Sequence, residues 1–190
     1  MAQSVSIAVM SWTPSYFTRV HHWTPSEVGI WFGTAVLVAP LIGLLGHGWI
    51  CDKLLARGVQ DIHLRYQFFI LPLALGPLCA AYLMPNAMVA LVLLGTAVTF
   101  LCGSGAICAA SLQLAVPGDQ RGKAASIWVL VGGIAPIVGP SGVAAINQHI
   151  FKSSGAVGQS LAVYCTGATV LALMLFMLAR GGFSRMDQPN

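Results

Sequence analysis

The chain has 190 residues, of which 57% are hydrophobic and only 7% are Asp, Glu, Lys or Arg. A soluble domain carries about 25% charged residues and keeps most of them on its surface, so this composition excludes an ordinary water-exposed globule. The mean hydropathy of +0.81 points the same way. The missing polar surface predicts an all-α integral membrane protein in contact with a lipid bilayer, with no nucleic-acid partner.

Six charge-poor segments predict six membrane-spanning helices. The stretch 66–118 has no Asp, Glu, Lys, Arg or His. It is too long for one span, because a helix crosses the hydrocarbon in about 20 residues. Pro85 and Asn86 predict a turn that divides it into two spans. The predicted spans, which make residues 1–190 a single domain, are 3–20, 28–50, 66–84, 87–115, 124–146 and 157–179.

The first span is the least apolar of the six. Gln3, Ser4, Ser6 and Ser11 lower its hydropathy, and no basic residue precedes it. A signal peptide would need a basic amino-terminal region and a soluble body to export. We therefore predict a helix whose normal lead-in has been removed, which indicates a fragment or half-unit of a larger protein.

The basic residues predict an orientation, because Lys and Arg accumulate in the cytoplasmic loops of membrane proteins. Of the nine, only Arg19 and Lys152 fall on one side of the predicted membrane. The other side holds the remaining seven: Lys53, Arg57, Arg65, Arg121, Lys123, Arg180 and Arg185. This asymmetry predicts a multi-pass protein with both termini in the cytoplasm, in a bacterial inner membrane.

Enzymatic and metal chemistry are not predicted. The five cysteines lie in or beside apolar spans and show no CxxC or Cys/His spacing, so we expect no metal, cofactor or disulfide framework. The acidic residues Glu27, Asp52, Asp61 and Asp119 fall outside the spans, and no intramembrane catalytic constellation is evident. No GxxxxGK[ST] motif occurs, which argues against ATP drive by this chain.

Three segments carry a family resemblance, the first at the end of the second span. There Gly48, Asp52, Lys53 and Arg57 match the loop motif G-x-x-x-D-[RK]-x-G-R-[RK] of the major facilitator superfamily, while Leu55 and Ala56 depart from it. The segment 12–29 resembles the seventh and eighth helices of spinster-like members, with departures at Tyr16, His22 and Thr24. The third resemblance, to the loop before the eleventh helix and to that helix, covers 117–126 and Gly139-Pro140.

The resemblance implies the carboxy-terminal half of a major facilitator transporter, helices seven to twelve. A complete member has two six-helix halves that rock about a central site, with inverted three-helix repeats in each half. It further implies that the first, second, fourth and fifth spans line the cavity, and that the third and sixth face lipid. The partner would be the missing amino-terminal half or a second copy, and the cargo a small organic molecule.

Several side chains are candidates for the substrate cavity. Trp12 and Tyr16 share a helical face with Thr13 beside it, and the alternative is that this face packs against a neighbouring helix. Arg19 either extends to the headgroups or binds an anionic substrate or acts in gating. Gln113 is a hydrogen-bonding candidate in the fourth span. His21, His22 and His149 are expected to be solvated loop residues.

The loop motif and His47 also have two interpretations each. Gly48 would allow close approach of a helix, Asp52 would cap or pair, and Lys53 and Arg57 would anchor the cytoplasmic end. The alternative is that these are only orientation-setting charges at a helix end. His47 is either proton-responsive or a hydrogen-bonded histidine near the interface.

The predicted function is a secondary carrier that moves a small organic solute by alternating access. The alternative is a non-transporting structural or regulatory membrane protein derived from a truncated transporter. Substrate uptake separates the two.

Overall fold

A computed structural model describes residues 2–57 and 62–186, apart from a few side chains within the helices. The described residues form six long helical segments and no strand. They are α1 (Ala2–Val20), α2 (Pro25–Ala56), α3 (Ile62–Leu83), α4 (Ala87–Ala115), α5 (Gly118–Phe151) and α6 (Val157–Met186). Helix α2 contains a π-helical turn at Val28–Phe32, and α5 consists mainly of two α-helical parts, Arg121–Gly132 and Ala135–Ile146.

Four helical segments are long and apolar enough to cross a membrane. Within the described ranges they are Pro25–Ala56, Ala87–Ala109, Gly118–Phe151 and Val157–Leu175. They fall on the second, fourth, fifth and sixth predicted spans. Helix α3 contributes a shorter apolar stretch, Phe68–Leu83, and α1 is not among the four. An all-helical chain with four candidate spans is thus established, while spanning by α1 and α3 stays a prediction.

Local sequence signals explain where two helices begin. Thr24 and Glu27 form a capping box at the start of α2, with Pro25 at the first helical position. The side-chain oxygen of Asn86 accepts hydrogen bonds from the backbone N–H groups of Met88 at 3.0 Å and Val89 at 3.2 Å. Asn86 therefore caps α4, and the predicted turn at this position is confirmed.

The helices pack as two interlocked three-helix units. Helix α4 makes its most extensive contacts with α2 and α3, and α1 makes its own with the second part of α5 and with α6. Helices α3 and α6 also pack on each other. The first helix of each unit therefore lies on the second and third helices of the other. Because their contacts are exchanged in this way, the two units share one apolar cluster.

Glycines permit the closest helix crossings in this arrangement. A Cβ added to Gly43 of α2 would lie 2.3 Å from the Thr99 carbonyl oxygen of α4. A Cβ added to Gly139 of α5 would lie 2.5 Å from the Ser4 carbonyl oxygen of α1. Both obstructing atoms are backbone atoms, which cannot turn aside as a side chain can. The two crossings occupy corresponding positions in the two units.

Helices α2 and α5 bury the least of their surface. Each buries 17% of its apolar window, against 41% for α4. Their outer faces carry large exposed apolar side chains, among them Leu37, Leu41, Leu45, Ile127, Val131 and Ile137. The carboxy-terminal half of α6 also exposes apolar residues, including Val170 and Met174. These faces suit contact with lipid.

We predict that Gly43→Ala and Gly139→Ala each destabilise the fold by about 1–3 kcal/mol, because the added methyl group displaces a backbone carbonyl of the neighbouring helix. Gly46→Ala is the matched control, since a Cβ at Gly46 meets nothing within 4 Å. Unfolding of the three variants in detergent, followed by circular dichroism, measures the difference. Equal loss of stability in Gly46→Ala would contradict the assigned crossings.

Candidate functional site

The face of α1 predicted to meet substrate is buried against α3. The hydroxyl of Tyr16 donates a hydrogen bond to the Ala81 carbonyl at 3.0 Å, and the hydroxyls of Thr13 and Tyr82 lie 2.9 Å apart. The rings of Tyr16 and Tyr82 meet edge to face with their centroids 5.0 Å apart. Thr13 is 0% exposed and Tyr16 is 1% exposed. Neither offers surface to a solute in this conformation, so the packing alternative describes them.

His21 joins this group from the connection between α1 and α2. Its Nε2 lies 3.0 Å from the Tyr16 hydroxyl. That hydroxyl has one proton, which it donates to Ala81, so Nε2 of His21 must be the donor in the second bond. The expectation that His21 is a solvated loop residue is therefore wrong. Partial burial and the neighbouring His22 lower the pKa of His21.

Two contacts connect the region of Thr13, Tyr16, His21 and Tyr82 to the second three-helix unit. A Cβ on Gly158 of α6 would lie 2.8 Å from Cε2 of Tyr16. One turn earlier on α1, Nε1 of Trp12 donates a 3.1 Å hydrogen bond to the carbonyl of Pro140 in α5. Trp12 is half-buried, so it combines this packing contact with a partly open face. Side-chain hydrogen bonds thus attach α1 to α3 and α5.

The open face of α1 is polar, and the sequence interpretation did not identify it as a site. Gln3, Ser11 and Arg19 are exposed, and Ser15 and Thr18 are half-exposed. Ser11, Ser15 and Thr18 follow one another at intervals of four and three residues, which places them on one helical face. That spacing was the available signal. We name Gln3, Ser11, Ser15 and Thr18 the polar face, and Arg19 stands next to it.

A groove separates this face from the start of α2. It has a volume of about 410 Å³ and lies between Pro14, Ser15 and Thr18 on one side and residues of the distorted first turns of α2 on the other. That second wall consists of Pro25, Val28, Gly29, Phe32 and Gly33. The groove is apolar apart from the two hydroxyl-bearing residues. The groove is wide open on one side rather than enclosed.

The side chain of Gln113 lies outside the described residues, although its backbone belongs to α4. Its predicted contact with a substrate therefore stays a prediction. Arg19 is exposed in the last turn of α1, where a cation is favoured by the helix dipole.

The loop-motif residues mark the end of α2. Asp52, Lys53 and Arg57 are exposed, and Nζ of Lys53 lies 4.6 Å from the ring centroid of Trp49. A Cβ on Gly48 would meet nothing within 4 Å, so the expected close approach of a helix at Gly48 does not occur within the described chain. The close approach occurs instead at Gly43, on the side of the same helix that faces α4.

His47 is buried on that α4-facing side, with 5% of its surface exposed. Its Nδ1 shares a hydrogen bond with the Tyr66 hydroxyl of α3, while Nε2 has no hydrogen-bond partner among the described groups. His47 is therefore hydrogen-bonded through one of its two ring nitrogens.

Searches against protein-family models, curated proteins and solved structures find no match to this chain. Within the part of the chain that the structure describes, no group of three or more His, Cys, Asp or Glu side chains is placed to hold a metal ion. The five cysteines are free thiols.

The Thr13–Tyr82 pair gives a prediction for a double-mutant cycle. Thr13→Val or Tyr82→Phe leaves one buried hydroxyl without its partner, and each is expected to cost about 1–3 kcal/mol of unfolding free energy. The double variant removes both hydroxyls and should lose little more than either single variant. Chemical unfolding in detergent measures all four proteins. Strictly additive losses would show that the two hydroxyls do not interact.

His21 gives a prediction for pH dependence. Because its pKa is lowered in the folded chain, the unfolded chain takes up a proton first as the pH falls below about 6.5. This residue therefore destabilises the fold in acid, and the effect is absent above that pH. His21→Gln should flatten the decline in stability between about pH 7 and 5. His149→Gln, at an exposed position in the last turn of α5, is the control and should leave the decline unchanged.

Proposed function

We propose that the chain is one six-helix half of a major facilitator type secondary transporter, which moves a small organic solute by alternating access. The observation that carries the proposal is the exchanged packing of two three-helix units. In transporters of this type, internal three-helix repeats of inverted topology form each half, and the halves rock around a site near the midplane. An exchange in which α1 lies on α5 and α6, and α4 lies on α2 and α3, is the contact pattern expected of such repeats.

The polar face of α1 supports the same function. Polar side chains on a helix at membrane depth are unfavourable against lipid and favour a water-filled cavity or a protein partner. Ser11 and Gln3 are exposed although the buried side of the same helix holds Val5, Val9 and Phe17. We infer that this face and the adjoining groove look onto the transport pathway, and that Trp12 and Gln113 contribute where they reach it.

A lone half leaves the pathway open on one side. The partner that closes it is the amino-terminal half of the same transporter or a second copy of this chain. The basic residues Lys53 and Arg57 at the end of α2 favour a cytoplasmic location for that end, because Lys and Arg accumulate in cytoplasmic loops. Both termini then lie inside, and the proposed location is a bacterial inner membrane.

Features that break helical regularity suit a moving carrier. Pro14, Pro40 and Pro140 each lie inside a helix, where proline removes a backbone hydrogen bond. The π-helical turn at Val28–Phe32 lines the groove, and such turns are frequent at functional sites.

The proposal predicts uptake that depends on the polar face. The chain, reconstituted into liposomes alone and with a co-expressed six-helix partner, is tested for exchange of a panel of labelled organic acids, amines and sugars. Ser11→Leu combined with Ser15→Leu should reduce exchange by at least about tenfold without lowering thermal stability, because the bulky side chains occupy the pathway. Thr166→Val, on the exposed face of α6, is the matched control and should retain exchange.

Exchange indistinguishable from empty liposomes across the panel, by a folded and monodisperse chain in both preparations, would reject transport. It would favour the structural or regulatory alternative. The mass of the reconstituted particle, one copy or two, identifies the partner.

A further inference from the structure

The contact between α2 and α4 runs along a single seam. On α2 it consists of Ala39, Gly43, His47 and Cys51, which are four residues apart and are the buried residues of the regular part of that helix. On α4 it meets the Thr99 carbonyl at Gly43, and Gly103 at His47. We call this contact the α2–α4 seam. Three of these four α2 residues are small, and the fourth, His47, carries an ionisable imidazole.

The imidazole of His47 packs closely against Gly103 of α4. A Cβ added to Gly103 would be 2.0 Å from Cδ2 and 2.5 Å from Cγ of the ring. Phe100 and Tyr66 enclose the ring from two further sides, with centroid separations of 5.7 Å and 5.6 Å. This packing leaves the ring little freedom to rotate while α2 and α4 stay in contact.

The hydrogen-bond partners of the His47 ring suit its neutral form. A neutral imidazole needs one donor and one acceptor partner at most, and Nδ1 has the Tyr66 hydroxyl. A protonated imidazole carries an N–H on both nitrogens. Its Nε2–H would be a buried, charged donor, and no described group is in position to accept from it. Among the described groups, the Thr99 backbone comes near the ring, but it does not meet hydrogen-bond geometry with Nε2.

The titratable groups that face the ring are uncharged. Tyr66 approaches it from α3, Cys51 lies one turn further along α2, and Cys102 is the neighbouring ionisable group on α4. Asp52 and Lys53 are exposed beyond the seam. Within the described part of the chain, no carboxylate therefore stands beside His47 to neutralise a proton on it. The side chains of His63 and Arg65 lie outside that part.

We propose that His47 is a protonation switch for the α2–α4 seam. With a neutral imidazole, the seam holds the closed packing of the structure. Protonation moves the ring off Gly103 towards an acceptor for Nε2–H, which separates α2 from α4 and exposes the end of α2 that carries Cys51. The switch is a property of the helix pair, so it goes beyond the transport proposal and holds whether or not the chain moves a solute.

Cys51 is a reporter already present in the seam, because only 2% of its surface is exposed in the closed packing. The experiment uses the full chain in lipid nanodiscs with Cys79, Cys102, Cys108 and Cys165 replaced by Ala. Cys51 reacts with 4,4′-dithiodipyridine to form a mixed disulfide and release thiopyridone. The rate of this reaction is measured between about pH 8 and 5.5, the range in which histidine titrates. The same measurement on His47→Gln corrects for the pH dependence of the thiol itself.

The proposal expects the rate ratio of the His47 protein to His47→Gln to rise by about 5-fold or more on acidification, the lower end of a typical conformational coupling. His22→Gln, an exposed histidine in the same background, should show the same rise. In Gly103→Ala the added methyl group displaces the His47 ring, so Cys51 should be reactive at both pH 8 and pH 5.5. A ratio that stays constant from pH 8 to 5.5 would overturn the switch, because the Cys51 rate would then change equally with and without His47.

If His47→Gln fails to fold, the nitrogen chemical shifts of the ring decide the question in the unsubstituted chain. Protonation of both ring nitrogens in step with Cys51 exposure supports the switch. A ring that stays neutral throughout that range, or titrates without a change in Cys51 reactivity, rejects it.

Discussion

The fold depends on two places where a glycine of one helix meets the backbone of another. Gly43 faces the Thr99 carbonyl, and Gly139 faces the Ser4 carbonyl. Lipid is as apolar as a leucine side chain, so burial of apolar surface does little to hold membrane helices together, and close packing of small residues matters more. These crossings join the two three-helix units to each other. The shared apolar cluster and the positions of α3 and α6 follow from the exchange.

Helix α1 is held by side-chain hydrogen bonds in addition to its crossing with Gly139. Trp12, Thr13 and Tyr16 use their polar atoms on partners more than 60 residues away in the chain, at Pro140, Tyr82 and Ala81 respectively. Such bonds satisfy polar groups that lipid cannot, so a helix too polar for a simple span is stable in this position. The polar face lies on the open side of the helix. The low hydropathy of α1 and its proposed role in a transport pathway thus both come from its polar side chains.

Sequence patterns predicted the features that depend on near neighbours. The apolar stretches gave helix positions, and Asn86 gave the start of α4, because capping joins residues only two or three apart. The face of Thr13 and Tyr16 was left open between substrate contact and helix packing, since the choice depends on Tyr82 and Ala81 in a distant helix. The close approach expected at Gly48 lies at Gly43 for the same reason. Both are small residues on α2, and only the position of α4 distinguishes them.

Helix α2 combines length with unusually little attachment. Beyond Val28, its buried residues form one stripe of four, whereas its opposite face carries exposed leucines. One end borders the groove through a π-helical turn, and the other packs His47 on Gly103. Because α2 is fixed along one narrow stripe, a change at either end affects the position of the whole helix. A proton at His47 and an occupant of the groove would therefore act on the same helix, which makes their effects on its position interdependent.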